Sequence, residues 1–162
     1  MNNPLLYFFN THGVFFLIVI VTSYLWFYKN AKEEAVHALL SCTVAGIAAI
    51  FIKELSQVPR PYVLDNAEAL AGWAWFSSSL PSLHTTLAFA LATTVALHQR
   101  RIGIVLLIIA GLIGFGRVAA QVHYPFDIAL GALLGSLVSF LMEKSSFPGY
   151  PHSQKRHKKG TF

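Results

Sequence analysis

The sequence predicts an all-α protein, a polytopic transmembrane bundle of about five helices. Hydrophobic residues make up 55% of the 162 residues and charged residues only 12%, and the mean hydropathy is +0.56. An ordinary soluble domain carries about 25% charged residues, so this composition excludes that class. Five apolar runs approach the ~20 residues that cross a bilayer: residues 13–28, 35–52, 83–97, 102–119 and 126–142.

The third of these runs, residues 83–97, is the shortest. The stretch before it, residues 77–82, can lie at membrane depth if it packs against protein or faces a water-filled cavity. Residues 1–11 contain no Lys or Arg, and no small-residue cleavage site follows the first run, so we expect that run to be retained as a span. The single cysteine, Cys42, lies inside the second run, which leaves no disulfide framework and no cysteine-based metal site.

Two stretches outside the apolar runs complete the organisation of the chain. Residues 55–80 are predicted to be a long non-helical outer loop, whose Trp73, Trp75 and Phe76 favour the membrane interface over a substrate-facing role. Residues 147–162 are basic and lack periodicity, which predicts a disordered cytoplasmic tail. We therefore expect one transmembrane domain, residues 1–146, followed by this tail.

Basic residues are distributed unevenly between the two predicted membrane faces. With the N-terminus outside, three of the twelve, Lys53, Arg60 and Arg117, fall on the outer side beside apolar helix ends, where an unpaired charge is costly. The positive-inside rule does not explain these three residues, so we expect them to have a functional role. The net charge of +5 comes mostly from basic residues that form a rim on the cytoplasmic side, near anionic lipid. Because the lipid surface explains this charge, we expect no nucleic-acid partner. Nine basic residues lie on the cytoplasmic side, as the positive-inside rule requires: Lys29, Lys32, Arg100, Arg101, Lys144, Lys155, Arg156, Lys158 and Lys159.

Polar residues that an apolar bundle otherwise excludes gather in three outer segments, residues 53–61, 81–84 and 116–127. In the first segment, Lys53 is predicted to end the second helix, and the prolines on either side of Arg60 stop that helix from continuing. In the second, Pro81 suits the first turn of a helix, so the N–H groups near Ser82 and its hydroxyl are candidate anion donors. His84 is expected one turn into that helix.

The third segment places a histidine beside a carboxylate and a cation, Arg117. Pro125 suits the first position of the fifth helix, which puts Asp127 in the first turn, within reach of the ring N–H of His123. Three cations and two helix N-termini describe a site for a multiply charged anion, and phosphate fits best. A neutral imidazole held by a carboxylate can attack phosphorus. We therefore predict His123 as the nucleophile, Asp127 as its partner and His84 as the acid/base.

The spacing and order of these residues resemble the three-part signature of the type 2 phosphatidic acid phosphatase superfamily. The resemblance spans residues 53–127 and implies a haloperoxidase-like helical core and a metal-independent phosphatase that works through a phosphohistidine, with no cofactor. It further implies that phosphate is bound by Lys53, Arg60, Ser82 and Arg117, with catalysis by His84, His123 and Asp127.

The chain departs from the family pattern at two positions and in length. Leu83 stands where members commonly have Gly or Asp, a position that contributes mainly backbone. Gly116 stands where they commonly have Ser, which removes a hydroxyl contact to phosphate. Since members commonly have six spans, we expect either a minimal five-span version or a sixth element reduced to an interfacial piece at residues 4–9.

The small size, the outward-facing site and the absence of a large extra domain most resemble bacterial undecaprenyl pyrophosphate phosphatases. This implies a multi-pass protein of the cell (inner) membrane, with its site facing the periplasm or exterior and a membrane lipid as substrate. Phosphatidylglycerophosphate, phosphatidic acid and lipid A phosphates stay open as substrates. A non-enzymatic anion transporter or lipid-binding protein is the alternative of another class. A metallohydrolase built on His84, His123 and Asp127 is opposed by the three cations, so no metal is predicted.

The remaining histidines and the helix glycines have ordinary explanations. We interpret five histidines as residues of the membrane interface or of the tail: His12, His37, His98, His152 and His157. Close helix packing, which small residues permit, accounts for Gly103, Gly111, Gly114, Gly131 and Gly135.

Overall fold

The computed structural model of the chain describes residues 4–64 and 78–145, and every described element is helical. A first helix, α1, continues into one π-helical segment, and five further helices follow. The elements are α1 (Pro4–Ser23), the π-helical segment (Tyr24–Tyr28), α2 (Lys32–Ser56), the four-residue α3 (Pro61–Leu64), α4 (Leu83–His98), α5 (Arg100–Ala119) and α6 (Pro125–Lys144).

Five of these helical elements occupy the five predicted spans, which confirms the all-α membrane bundle. Four segments of the described chain are long and apolar enough to cross a membrane: Thr11–Tyr28, Lys32–Ser56, Arg100–Ala119 and Pro125–Lys144. The fifth, α4, has 16 residues, about 24 Å at the usual rise per residue. It lies in the centre of the bundle and packs against α1, α2, α5 and α6. As expected for its short length, the residues before it are covered by protein, since Ser78, Ser79 and Ser82 are buried.

The interior of the bundle is rich in small residues, together with a few buried leucines such as Leu25 and Leu91, and many large apolar side chains face outward. Thr93 of α4 donates to Ser136 of α6 at 3.1 Å, and Ser139 donates to the carbonyl of Ala90 at 2.8 Å. Hydrogen bonds and small residues are the usual means by which helices associate in lipid. Bulky side chains such as Leu55 and Phe115 are 70% exposed, as a lipid-facing surface requires.

Two glycines of α6 allow this helix to approach α4 closely. A Cβ at Gly135 would lie 2.2 Å from the carbonyl oxygen of Thr86, and one at Gly131 would lie 2.9 Å from that of Ser82. Both contacts are with the backbone of α4, which no side-chain movement can relieve. The predicted packing role is therefore confirmed here and at Gly103 and Gly114, but it is wrong for Gly111, where a Cβ would meet nothing within 4 Å.

Two sequence-based boundaries are wrong. Helix α2 runs through Leu55 to Ser56 instead of ending at Lys53, and Pro61–Leu64 forms one helical turn inside the predicted non-helical stretch. Of the two alternatives for the N-terminus, the continuity of residues 4–9 with α1 favours the five-span version over a separate interfacial piece. The predicted aromatic patch at Trp73, Trp75 and Phe76 and the predicted tail at residues 147–162 lie outside the described residues.

Candidate active site

The connection between α5 and α6 positions the central histidine of the site. Helix α5 ends in a Schellman motif, in which Gln121 adopts a left-handed φ of 57°. The N–H of Gln121 donates to the carbonyl of Val118 at 2.8 Å, and the N–H of Val122 donates to that of Arg117 at 3.2 Å. Pro125 then opens α6 at its first turn, as predicted. His123 is thereby held between two helix ends.

His123 and Asp127 form a buried hydrogen-bonded pair. The ring Nδ1 of His123 lies 3.2 Å from Oδ2 of Asp127, and each side chain is 2% exposed. The same carboxylate oxygen accepts from the backbone N–H of Tyr124 at 2.9 Å. A carboxylate that is fixed in this way selects the tautomer with the proton on Nδ1. The lone pair of His123 is therefore on Nε2, the nitrogen that can act as a nucleophile.

The environment of His123 favours the neutral ring. Burial is the largest cause and, with further lowering from Arg117, Arg60 and Lys53, brings the pKa of His123 to about 4, although the hydrogen bond to Asp127 raises it. A neutral imidazole at physiological pH is the form that can attack an electrophile.

Two of the three predicted cations are buried. Lys53 is 4% exposed and donates from Nζ to the carbonyls of Ser78 at 2.6 Å and Ser79 at 3.3 Å. Arg117 is 8% exposed. Arg60 donates from Nη1 to the carbonyl of Val122 at 3.4 Å, which puts its guanidinium next to the backbone of His123. Buried cations are favourable only when something compensates their charge, so this end of the bundle is suited to an anion.

Ser82 is placed in the site, but its contacts differ from the prediction. Helix α4 begins at Leu83, so Ser82 is its N-cap and Pro81 precedes the helix instead of occupying its first turn. The N–H of Ser82 donates to the carbonyl of Asp127 at 3.1 Å, and its hydroxyl accepts from Thr85 at 3.0 Å. The N–H is therefore committed to the protein, whereas the hydroxyl hydrogen of Ser82 can still bind an anion.

His84 lies in the first turn of α4, not one turn further in, and its ring is oriented by α1. Nε2 of His84 donates to the backbone carbonyl of Thr11 at 2.9 Å. The edge of the Phe15 ring packs against the imidazole, with the centroids 6.0 Å apart. Because Nε2 carries the proton in this contact, Nδ1 is the nitrogen that can take up and release a proton.

Four residues that hold the predicted site together could not be assigned that role from the sequence. Thr11 and Val122 act through backbone carbonyls, which no side-chain pattern can reveal. Ser78 and Ser79 had a signal, since a serine run beside a short span indicates polar backbone that must be satisfied inside the protein.

Two solved structures share this architecture, and one of them belongs to a transmembrane PAP2 type phosphatase. LpxE of Aquifex aeolicus matches with a TM-score of 0.64 and 26% sequence identity, over 88% of each chain. The first transmembrane PAP2 type phosphatidylglycerolphosphate phosphatase from Bacillus subtilis matches with a TM-score of 0.64 and 25% identity, over 89% of this chain and 78% of the other. The model of the PAP2 superfamily matches residues 34–148. The chain belongs to this superfamily of membrane lipid phosphatases, which confirms the resemblance seen in the sequence.

Curated relatives extend the comparison to proteins of similar sequence. The chain is 31% identical to the bacitracin transport permease protein BcrC of Bacillus licheniformis, over 85% of this chain and 68% of that protein. It is also 31% identical to the undecaprenyl-diphosphatase BcrC of Bacillus subtilis, over 75% and 64%. An undecaprenyl-diphosphatase of Sulfolobus acidocaldarius is 29% identical, over 86% and 68%. The chain thus spans about two thirds of the length of these relatives.

Proposed function

We propose that the protein hydrolyses undecaprenyl pyrophosphate to undecaprenyl phosphate and inorganic phosphate, with His123 as the nucleophile. The observation that carries the proposal is the buried His123–Asp127 pair, 3.2 Å apart, at a bundle end that also holds Lys53 and Arg117. Two relatives named undecaprenyl-diphosphatase support the choice of substrate.

In the first step, Nε2 of His123 attacks the terminal phosphorus and the bond from phosphorus to the bridging oxygen breaks. The Nδ1–H of His123 stays bonded to Asp127, which stabilises the positive charge that develops on the ring. Negative charge on the equatorial oxygens is met by Lys53, Arg60 and Arg117, and the hydroxyl of Ser82 can donate to one of them. Donors and cations that are fixed before the reaction lower its barrier without reorganisation.

In the same step, protonated His84 gives a proton from Nδ1 to the departing oxygen of undecaprenyl phosphate. Water then attacks the phosphohistidine, its proton passes to His84, and the P–N bond breaks to release inorganic phosphate and neutral His123. The contact between His84 Nε2 and the Thr11 carbonyl, at 2.9 Å, supports this role because it fixes which nitrogen exchanges the proton.

The active site is proposed to face the exterior or periplasm. Five basic residues at the opposite end of the helices support this orientation, since all are exposed and lie where a cytoplasmic rim is expected: Lys29, Lys32, Arg100, Arg101 and Lys144. The lipid tail would remain in the bilayer beside the exposed apolar side chains of the bundle.

Two other functions have specific support. The solved phosphatidylglycerolphosphate phosphatase points to another lipid phosphate. The relative named as a bacitracin transport permease points to transport. Transport of an anion requires the cations but gives no reason for a carboxylate that fixes the tautomer of His123, so the buried pair favours hydrolysis.

The proposal is tested by phosphate release from purified protein in detergent with undecaprenyl pyrophosphate, phosphatidylglycerophosphate, phosphatidic acid and lipid A phosphate as substrates. We expect the highest kcat/KM for undecaprenyl pyrophosphate, full activity in excess chelator, and a ³²P-labelled protein that is acid-labile and alkali-stable. The control is His12→Gln, an exposed histidine outside the site. A higher kcat/KM for any other lipid would overturn the substrate, and label that persists in His123→Gln would overturn the nucleophile.

A further inference from the structure

A second histidine–carboxylate cluster lies at the opposite end of the bundle from the active site. His37 near the start of α2, His98 at the end of α4 and Glu143 near the end of α6 meet there. Nδ1 of His37 is 3.4 Å from Oε2 of Glu143, and Nε2 of His98 is 3.5 Å from the same oxygen. All three ligand atoms lie within 4.8 Å of one another. Within residues 4–64 and 78–145, this is the one group of three such side chains that converges so closely.

The two nitrogen–oxygen separations, 3.4 and 3.5 Å, match the coordination sphere of a transition metal. Zinc binds histidine nitrogen and carboxylate oxygen at about 2.0–2.1 Å, and two ligands at the tetrahedral angle are then about 3.4 Å apart. Two histidines and one glutamate are a known zinc ligand set. The glutamate is 39% exposed, so water can reach the cluster and supply a fourth ligand.

The tautomer of His98 is already fixed in the form that binds a metal. Its Nδ1 donates to the carbonyl of Thr94 at 2.9 Å, which leaves the lone pair on Nε2, the nitrogen that faces Glu143. Metal-bound histidines characteristically donate their other N–H to a carbonyl or carboxylate in this way. A lone pair that faces a carboxylate oxygen at 3.5 Å is repulsive unless a proton or a cation lies between the two atoms.

We propose that His37, His98 and Glu143 form a site for a divalent transition metal of the zinc type, which joins α2, α4 and α6 at the end of the bundle remote from the phosphatase centre. The rings of the two histidines pack edge to face, 83° apart with centroids at 5.4 Å, so both imidazoles are held beside Glu143. The role of the metal is to hold three helix ends together, since His37, His98 and Glu143 lie at the opposite end of the bundle from the proposed phosphate-binding residues.

The experiment uses full-length protein in detergent, purified without a polyhistidine tag and stripped with chelator, then titrated with Zn²⁺ by calorimetry and with Co²⁺ by absorption. We expect one equivalent of high-affinity metal. His37→Gln, His98→Gln and Glu143→Gln should each raise the dissociation constant at least about 100-fold, since even outer-shell changes cost 10- to 100-fold. Zn²⁺ should raise the Tm of the native protein but not that of these variants.

Three matched controls separate this site from other histidines. His12→Gln, the double variant His84→Gln/His123→Gln and the tail variant His152→Gln/His157→Gln should all keep the native dissociation constant. The proposal is overturned if the native protein binds no Zn²⁺, or if the high-affinity equivalent survives in Glu143→Gln or disappears in the active-site double variant.

A measurement on the native chain covers the case in which a cluster variant does not fold. Diethyl pyrocarbonate modifies unliganded imidazoles, and the modified residues can be identified by mass spectrometry. Bound Zn²⁺ should slow modification of His37 and His98 at least tenfold while leaving that of His12 unchanged. Equal rates at His37 and His98 with and without Zn²⁺ would overturn the proposal.

Discussion

The two ends of the helix bundle contain the same reactive residue types in different surroundings. At one end, His84, His123 and Asp127 lie among Lys53 and Arg117, which are buried. At the other end are His37, His98 and Glu143, and the basic residues nearest in sequence, such as Arg100, are exposed. Two histidines and a carboxylate therefore do not define a function by themselves. A buried cation cannot be neutralised by solvent, so the first end suits an anion, while an exposed cation is screened and leaves the second end suited to a metal.

Replacing the proposed nucleophile, His123, gives the largest expected difference between the two ends. His123→Gln should lower phosphate release at least about 1,000-fold, because losing a covalent nucleophile removes the whole reaction path. The same variant should bind Zn²⁺ with native affinity. Both expectations are checked on one preparation, the loss of activity by phosphate release and the unchanged Zn²⁺ affinity by calorimetry. If His123→Gln also lost the metal, the two ends would not be independent sites.

Replacing a buried cation should give the next largest difference in activity between the two ends of the bundle. Arg117→Gln should lower kcat/KM about 100-fold, as expected when one fixed donor to a developing negative charge is removed. Arg101→Gln, an exposed arginine near the start of the same helix, is the matched control and should stay within about twofold. The measurement is kcat/KM for undecaprenyl pyrophosphate. Equal losses in both variants would show that net charge matters and that the buried position does not.

The pH dependence gives a smaller effect, about tenfold per pH unit on the acid side. Below its pKa the ring of His123 is protonated and cannot attack. Because burial lowers that pKa to about 4, kcat/KM should begin to fall only near pH 4, instead of near the ordinary value of 6.5. The unfolded chain binds this proton below pH 6.5 and the folded chain only below about 4, so stability also declines over that interval. Circular dichroism at each pH separates the two effects, and an acid limb centred on 6.5 would contradict the burial of the nucleophile.

The smallest expected effect is at the turn that carries His123. Gln121 has a left-handed φ of 57°, which glycine adopts without steric cost. Gln121→Gly should therefore stabilise the protein by about 0.5–1 kcal/mol. Ala120→Gly, one residue earlier at a φ of −78°, should not. Thermal unfolding in detergent compares the two, and a gain in Ala120→Gly as large as that in Gln121→Gly would exclude backbone strain as the cause.

The placement of His123 beside Asp127 could be predicted from the sequence far better than the meeting of His37, His98 and Glu143. His123, Pro125 and Asp127 lie within five residues of one another, so helix-start rules alone place the imidazole beside the carboxylate. His37, His98 and Glu143 are on three helices, and their meeting depends on how each helix is rotated about its axis.

The rotation of a membrane helix about its axis is hard to predict from its sequence. A helix in water shows its orientation by a stripe of apolar residues, but here the lipid-facing and buried faces are both apolar. Gly131 and Gly135 do mark the face of α6 that meets α4. The sequence therefore predicted the existence and order of the spans and a tight α6 interface, while His37 and His98 were explained only as interface residues.

The hydrogen bond from His84 to the Thr11 carbonyl means that the proposed active site extends beyond the part of the chain that matches the superfamily. The superfamily match begins at residue 34, so the helix that orients the proposed acid/base lies entirely upstream of it. An exchange of the first helix between relatives would then alter proton transfer while every signature residue stayed in place. Differences in turnover between members with identical signatures can originate in that unmatched first helix.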